Sequence, residues 1–190
     1  MATKQTRSNQ LQPAPGVLLI AEANLHDPNF RRTVVLLCEH KAEGSFGLIL
    51  NHPVELRMSD LLQTKGWDSA VCRGGPVEET SLHFLHCRAD LEIGGREVVP
   101  GVFWGGDFDK LNERLAAGVL TPAECRFYIG YSGWGEKQLD NEIAHNSWYL
   151  AKASKDLIFR ENVNHWRETL KEMGPQYRLI STFPDDPRLN

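Results

Sequence analysis

Metal-ligand spacing, nucleotide-binding fingerprints and long apolar runs are all missing from this 190-residue chain. Its four cysteines, Cys38, Cys72, Cys87 and Cys125, are scattered with no C-x-x-C pair, so neither a zinc finger nor a disulfide scaffold is indicated. Reduced, buried thiols acting as small hydrophobes are the expected state. No apolar stretch approaches the roughly 20 residues that cross a bilayer, and residues 1–12 are polar, without the apolar centre of a secretory signal. A cytoplasmic protein with no membrane attachment is expected. A basic excess is also lacking: 21 Lys+Arg against 25 Asp+Glu leave a formal charge of −4. That balance supplies no general attraction to nucleic acid or anionic lipid, and no helix-turn-helix, zinc finger or basic helix stands out. Direct nucleic-acid binding is therefore not expected, even at low salt.

What is present reads as one α+β domain. Residues 1–15 are polar, interrupted by Pro13 and Pro15, and are expected to be a flexible tail. Residues 16–190 follow as a single compact domain with a mixed, mostly β core flanked by a few helices. The runs 16–21, 33–38 and 46–50 are short, apolar, rich in β-branched residues and bounded by turn residues, the pattern of strands buried on both faces. Residues 41–45 make a hairpin loop between the second and third. Further strands are predicted at 81–87, 98–104, 126–131, 148–151 and 177–181. Residues 59–65, closed by Gly66, read as a short helix with Leu61 and Leu62 inward. Asp107 is a natural N-cap for a helix carrying Phe108, Leu111 and Leu115 and ending at Gly118. A third helix spans 138–145, and a last one starts near Asn164 and stops at Gly174-Pro175. Strands do not alternate regularly with helices, which favours α+β over a doubly wound sheet.

Several constellations invite a chemical reading. Ser132, in Gly130-Tyr131-Ser132-Gly133-Trp134-Gly135, follows a predicted strand and precedes a predicted helix, as a nucleophile elbow would. Trp134 occupies the place where that turn wants glycine, and Asp140 or Asp156 with His165 is an unspecific acid–histidine pair, so a glycine-rich strand-to-helix turn is the simpler reading. An indole beside three glycines is read as packed over them. Cys38 and His40 fall on one face of their strand by alternation, but the apolar run around Cys38 argues for an inert thiol. His83 and His86 beside Cys87 point to opposite faces, and no metal site is indicated. Gly94-Gly95 reads as a hairpin turn, and Gly105-Gly106-Asp107 as a helix start capped by Asp107. Asp27-Pro28-Asn29 is turn chemistry, and Arg31-Arg32 beside it is read as pairing with Glu39, Glu43 or Asp27 at the surface.

Taken together, Asp27-Pro28 with Phe30 and Arg32, Val34-Val35-Leu36-Leu37, Glu39-His40, Gly47-Leu48 through Asn51 and Pro53, Gly74-Gly75-Pro76-Val77, Phe84-Leu85-His86, and Gly130-Tyr131 through Gln138-Leu139 with Glu142 and Trp148 resemble the YqgE/AlgH family of bacterial proteins. The resemblance runs from about Gly16 to the final helix. His52 stands where the family usually has arginine, and Ser132 where alanine is common. The resemblance implies a compact α+β fold in a soluble bacterial protein; the family is often labelled as transcriptional regulators. The reading that follows is a non-enzymatic regulatory, interaction or ligand-binding protein, acting indirectly, with a small ligand or protein partner and no cofactor. The alternatives are a hydrolase or thiol-dependent enzyme using Ser132 or Cys38, and a DNA-binding regulator. Asp27, Arg32, His40, Asn51, Gly75, His86, Trp134 and Gln138 are the expected ligand- or partner-binding residues.

Overall fold

The computed structural model describes residues 11–62, 69–161 and 164–184. Its strands are β1 (Val17–Ala21), β2 (Val34–Lys41), β3 (Gly44–Ile49), β4 (Pro53–Arg57), β5 (Ala70–Arg73), β6 (Val77–His86), β7 (Arg96–Val99), β8 (Val102–Trp104), β9 (Cys125–Gly135) and β10 (Trp148–Lys152). The helices are α1 (Met58–Leu62), α2 (Phe108–Ala116), α3 (Gln138–Ala144), α4 (Lys155–Phe159), α5 (His165–Glu172) and α6 (Pro175–Ile180). This is a mixed α+β domain with a mostly β core. None of the described helices is long and apolar enough to cross a membrane.

The strands pair in the order β10-β1-β2-β3-β9-β6-β8-β7, with β4 and β5 attached through a parallel β5–β9 pairing. Period-2 alternation explains why the first apolar runs have no polar face. Leu18, Ile20, Leu36 and Leu48 point to one side, where α4 and α5 contribute Leu157, Ile158, Trp166 and Leu170. Val17, Leu19, Val35 and Ile49 point to the other, against Leu139 of α3 and Trp148. Further along that second face, Phe84, Val71 and Phe127 pack on Leu111 and Leu115 of α2. The sheet curls into a half-barrel, so that its far edge returns toward its beginning: Arg96 of β7 donates to Glu39 of β2 at 2.6 Å, and Val98 and Val99 approach Gly16.

Asp107 caps α2 by accepting from the Lys110 amide at 3.1 Å, and Asn164 caps α5 in the same way, as the sequence indicates. Other elements differ from the sequence reading. The predicted strand at 98–104 is a hairpin, β7 and β8, because Pro100-Gly101 reverses the chain within it. Gly94-Gly95 is no hairpin turn but leads from a short 3-10 turn (Ala89–Leu91) into β7. The predicted strand at 177–181 is helical: Pro175 fixes the first turn of α6, and Tyr177 and Ile180, three residues apart, meet the core together. Leu61 is exposed rather than inward, and the expected helix end at Lys65-Gly66 lies outside the described residues. Of the expected tail, residues 1–10 lie outside them too, while Leu11 and Ala14 pack against the core.

The largest difference concerns residues 130–135. They are not a turn after a strand; they are its second half. β9 runs on to Gly135, pairing with β5 through residues 127–129 and then with β3 through 132–135, while β6 covers its other edge. Gly47 and Gly133 leave room for their neighbours: an added Cβ would sit 2.7 Å from Val35 Cγ1 and 3.0 Å from the Leu36 carbonyl at Gly47, and 3.2 Å from the Tyr131 ring at Gly133.

Candidate functional site

The turn at residues 27–33 brings together the first group of expected residues. Asp27 Oδ1 accepts from the Asn29 amide at 2.9 Å, and Arg32 takes the left-handed conformation, φ 57°. Asn51 clamps this turn to the sheet: Oδ1 accepts from Val34 N at 2.9 Å, and Nδ2 donates to the Arg32 carbonyl at 2.8 Å. The Arg32 guanidinium lies 3.9 Å over the Trp166 ring and donates to the Pro184 carbonyl at 2.7 Å. Glu39, an expected partner of the arginine pair, is bonded instead to Lys41 and Arg96.

Phe30, from the same turn, stacks on Trp134 with centroids 6.0 Å apart and meets Trp148 edge-on at 5.5 Å. Trp134 is 5% exposed. One carboxylate ties this aromatic group to α3: Glu142 Oε2 accepts both the Trp134 and Trp148 indole N–H groups, at 2.9 and 2.8 Å, and Oε1 accepts from Gln138 at 3.0 Å. Gln138 in turn accepts from the Gly135 amide at 3.1 Å. Trp134 and Gln138 thus fasten β9 to the helix that follows it. Gly75 lies against the backbone of Tyr131 and Ser132.

His40 and His86 stand apart from these. His40 Nδ1 is 2.7 Å from Ser45 Oγ at the β2–β3 hairpin, and a register shift between Leu37 and Glu39 interrupts the alternation that would align it with Cys38. His86, 1% exposed, donates from Nε2 to the Gly94 carbonyl at 2.8 Å and stacks on Phe103. Burial lowers its pKa, with the Gly94 hydrogen bond acting in the opposite direction; burial also lowers those of His52 and His83. Above about pH 6.5 these rings are neutral whether the chain is folded or not. Below it the unfolded chain takes up protons that the folded one resists, so stability falls as pH falls. The urea midpoint is expected to drop between pH 7.5 and 5.5, and to drop less in His86→Gln; an unchanged or higher midpoint at pH 5.5 would contradict the neutral burial of these histidines.

The nucleophile candidates are held in the interior. Ser132 is fully buried and its hydroxyl donates to the Gly74 carbonyl at 3.0 Å. Cys38 is fully buried, and desolvation pushes its thiol far above the usual range. All four cysteines are free thiols. Among the described residues, no three His, Cys, Asp or Glu side chains gather where they could hold a metal ion.

A groove of about 540 Å³ opens beside Asn51. Leu50, Pro53 and Phe127 give it apolar walls, and among the described residues Arg57, Arg126 and Arg160 line it together with one carboxylate residue, Glu161. Arg160 is bonded to Glu172 at 2.9 Å, and Arg126 donates to the Arg160 carbonyl at 2.7 Å. Ser69, Cys72 and His165 complete the polar lining. Of these only Asn51 figures among the residues expected from sequence. Arg126 carries a weak signal, a charged residue inside an apolar run, but Arg57, Ser69 and Arg160 have none, because strand pairing brings them together from distant parts of the chain. A second feature is an aromatic cluster on the half-barrel's inner side, where Phe46 stacks between Trp104 at 4.4 Å and Tyr131 at 4.6 Å, with His83 edge-on at 5.2 Å.

A family model described as AlgH-like matches residues 18–178. A UPF0301 protein of Chlorobium limicola is 42% identical over 178 residues, covering 93% of this chain and 95% of its own. Another, from Cytophaga hutchinsonii, is 40% identical over 179 residues, covering 92% and 98%. Among solved structures, a crystal structure of a Corynebacterium diphtheriae protein superimposes with a TM-score of 0.77 at 22% identity, covering 92% of this chain and 95% of the other. The solution structure of AlgH from Pseudomonas aeruginosa does so with a TM-score of 0.68 at 24% identity, covering 93% and 98%. These two likenesses concern the fold; the sequence matches go further, and by them the chain belongs to the AlgH-like family.

Proposed function

We propose that this protein is a non-enzymatic, cytoplasmic ligand-binding protein and that the groove beside Asn51 is its site. The observation that carries the reading is the groove itself. At about 540 Å³ it falls within the range of small-molecule sites, and it combines apolar walls with a few convergent polar groups. Asn51 joins it to the turn carrying Asp27, Phe30 and Arg32, so a ligand there would act on the segment that Trp134 and Trp148 hold through Phe30. Any regulatory output, on transcription or otherwise, would pass through such a ligand or a protein partner rather than through duplex DNA. The four free thiols suit a reducing compartment.

The reading is tested by thermal denaturation against a panel of neutral, cationic and anionic metabolites, together with labelling of the native protein. A bound ligand is expected to raise the melting temperature in proportion to its affinity. Iodoacetamide is expected to modify the half-exposed Cys87 well before Cys38, which reacts only as the fold opens, and a fluorophosphonate is expected to leave Ser132 untouched. Rapid stoichiometric modification of Ser132 or Cys38 in the native protein would replace this reading with an enzymatic one.

A further inference from the structure

Two polar groups of the groove have bonding capacity to spare. Arg126 is half-buried, and its hydrogen bond goes to a backbone carbonyl rather than to a carboxylate. Its guanidinium also lies beside the fully buried Tyr128 hydroxyl. A guanidinium offers five N–H donors, so a backbone carbonyl and a phenol oxygen leave donors over for a ligand. Among the described residues, Glu161 is the one lining carboxylate and is exposed at the groove's edge, while Glu172 is engaged by Arg160. Ser69 adds a second unmet demand: it is 6% exposed, lines the same groove, and its hydroxyl has no hydrogen-bond partner. Buried polar groups left in this state cost stability, and native proteins rarely keep them without a use. A charged fork and a buried hydroxyl facing one cavity together meet the requirements of an oxyanion.

We infer that the groove binds the anionic group, a phosphate or a carboxylate, of a small molecule with an apolar body, and that Arg126 and Ser69 hold that group. The inference rests on the ligand-binding reading above and adds the chemical class of the ligand. Arg57 stands at the groove's exposed side, and Leu50, Pro53 and Phe127 provide the surface for the apolar part. Arginine suits this role better than lysine because its planar fork matches two oxygens at once.

The experiment is titration calorimetry at low ionic strength with phenyl phosphate, benzoate, inorganic phosphate and the neutral analogue benzyl alcohol. Either phenyl phosphate or benzoate is expected to bind, and the tighter of the two identifies the head group. Inorganic phosphate is expected to bind more weakly than phenyl phosphate because it lacks the apolar body. Arg126→Met is expected to weaken anion binding at least about tenfold, the worth of one charge-assisted hydrogen bond, while Arg178→Ala, on α6 and away from the groove, leaves it unchanged. Ser69→Ala is expected to weaken it about two- to tenfold and serves alone if Arg126→Met does not fold. Benzyl alcohol binding as tightly as the anions, or anion binding indifferent to both groove variants, would overturn the inference and leave the ligand-binding reading standing. Silence from every probe, neutral and anionic, together with a flat response to the metabolite panel, would remove the reading itself.

Discussion

Gly75→Ala is expected to lower the melting temperature by roughly 6–12 °C or more. An alanine Cβ at this position would stand 2.2 Å from the carbonyl carbon and oxygen of Tyr131 and 2.3 Å from the amide nitrogen of Ser132. All three atoms belong to the backbone of β9, so no side-chain rotation relieves the overlap. Overpacking that side chains can absorb costs about 1–3 kcal/mol. Here the link between β5 and β6 has to move off the central strand, taking with it the hydrogen bond from Gly74 N to the Ile129 carbonyl and that from Ser132 to Gly74. A loss of about 3 kcal/mol or more follows, which for a chain of this size lowers the melting temperature by roughly 6–12 °C. Gly135→Ala is the control, since its Cβ would meet nothing nearer than Gln138 Oε1 at 3.9 Å, and it should stay within about 0.5 kcal/mol of the parent. Equal melting temperatures for the two variants would show that the Gly74-Gly75 segment does not approach β9 as described.

The second large effect is expected at the tryptophan–carboxylate junction. Trp134→Ala removes a buried indole from between Phe30, Trp148 and β3 and should cost about 3–5 kcal/mol. Glu142→Ala removes no core volume, yet it leaves two indole N–H groups without their shared acceptor. At about 1–3 kcal/mol for each abandoned group, a total of about 2–6 kcal/mol is expected. Glu142→Gln keeps an oxygen in place and should lose about half as much. The pairing predicts strong non-additivity: once Trp134 is phenylalanine, Glu142→Ala should cost about 1 kcal/mol less than in the parent. Urea denaturation of the four proteins of that cycle measures it, and additive losses would mean that the indole–carboxylate bond contributes nothing.

These two sites also show how far the sequence could be read. Runs such as 17–21 and 34–38 announce strands buried on both faces, and Asp107 and Asn164 announce helix starts, because each signal is local and has one physical meaning. The glycine-rich stretch at 130–135 misleads because glycine density is a turn signal in isolation, whereas here Gly130 admits the backbone carbonyls of Gly75 and Val77 and Gly133 makes room for the Tyr131 ring. Residues 177–181 mislead for the opposite reason: β-rich composition is overridden by Pro175 and by the helical spacing that turns Tyr177 and Ile180 to the core together. Trp134, Gln138 and Glu142 are visible as a motif, but their common purpose appears only once Phe30 and Trp148 arrive from elsewhere. The groove is the least legible part. Arg57 and Ser69 meet through the pairing of β4 with β5, the parallel pairing of β5 with β9 adds Arg126, and Arg160 arrives from the end of α4.

The position of β9 bears on how the protein is made. Its three strand partners, β3, β5 and β6, all lie earlier in the chain, and β1 pairs with β10 near the other end. During synthesis the first hundred or so residues therefore emerge with open edges and uncovered apolar faces, and they stay that way until residues 125–152 leave the ribosome. At about 5–20 residues per second, that interval lasts several seconds, long enough for holding chaperones to compete with aggregation. A fold threaded through one late strand closes nearly all at once, and a chain truncated before Cys125 should be handled by the cell as a misfolded protein rather than as a smaller domain.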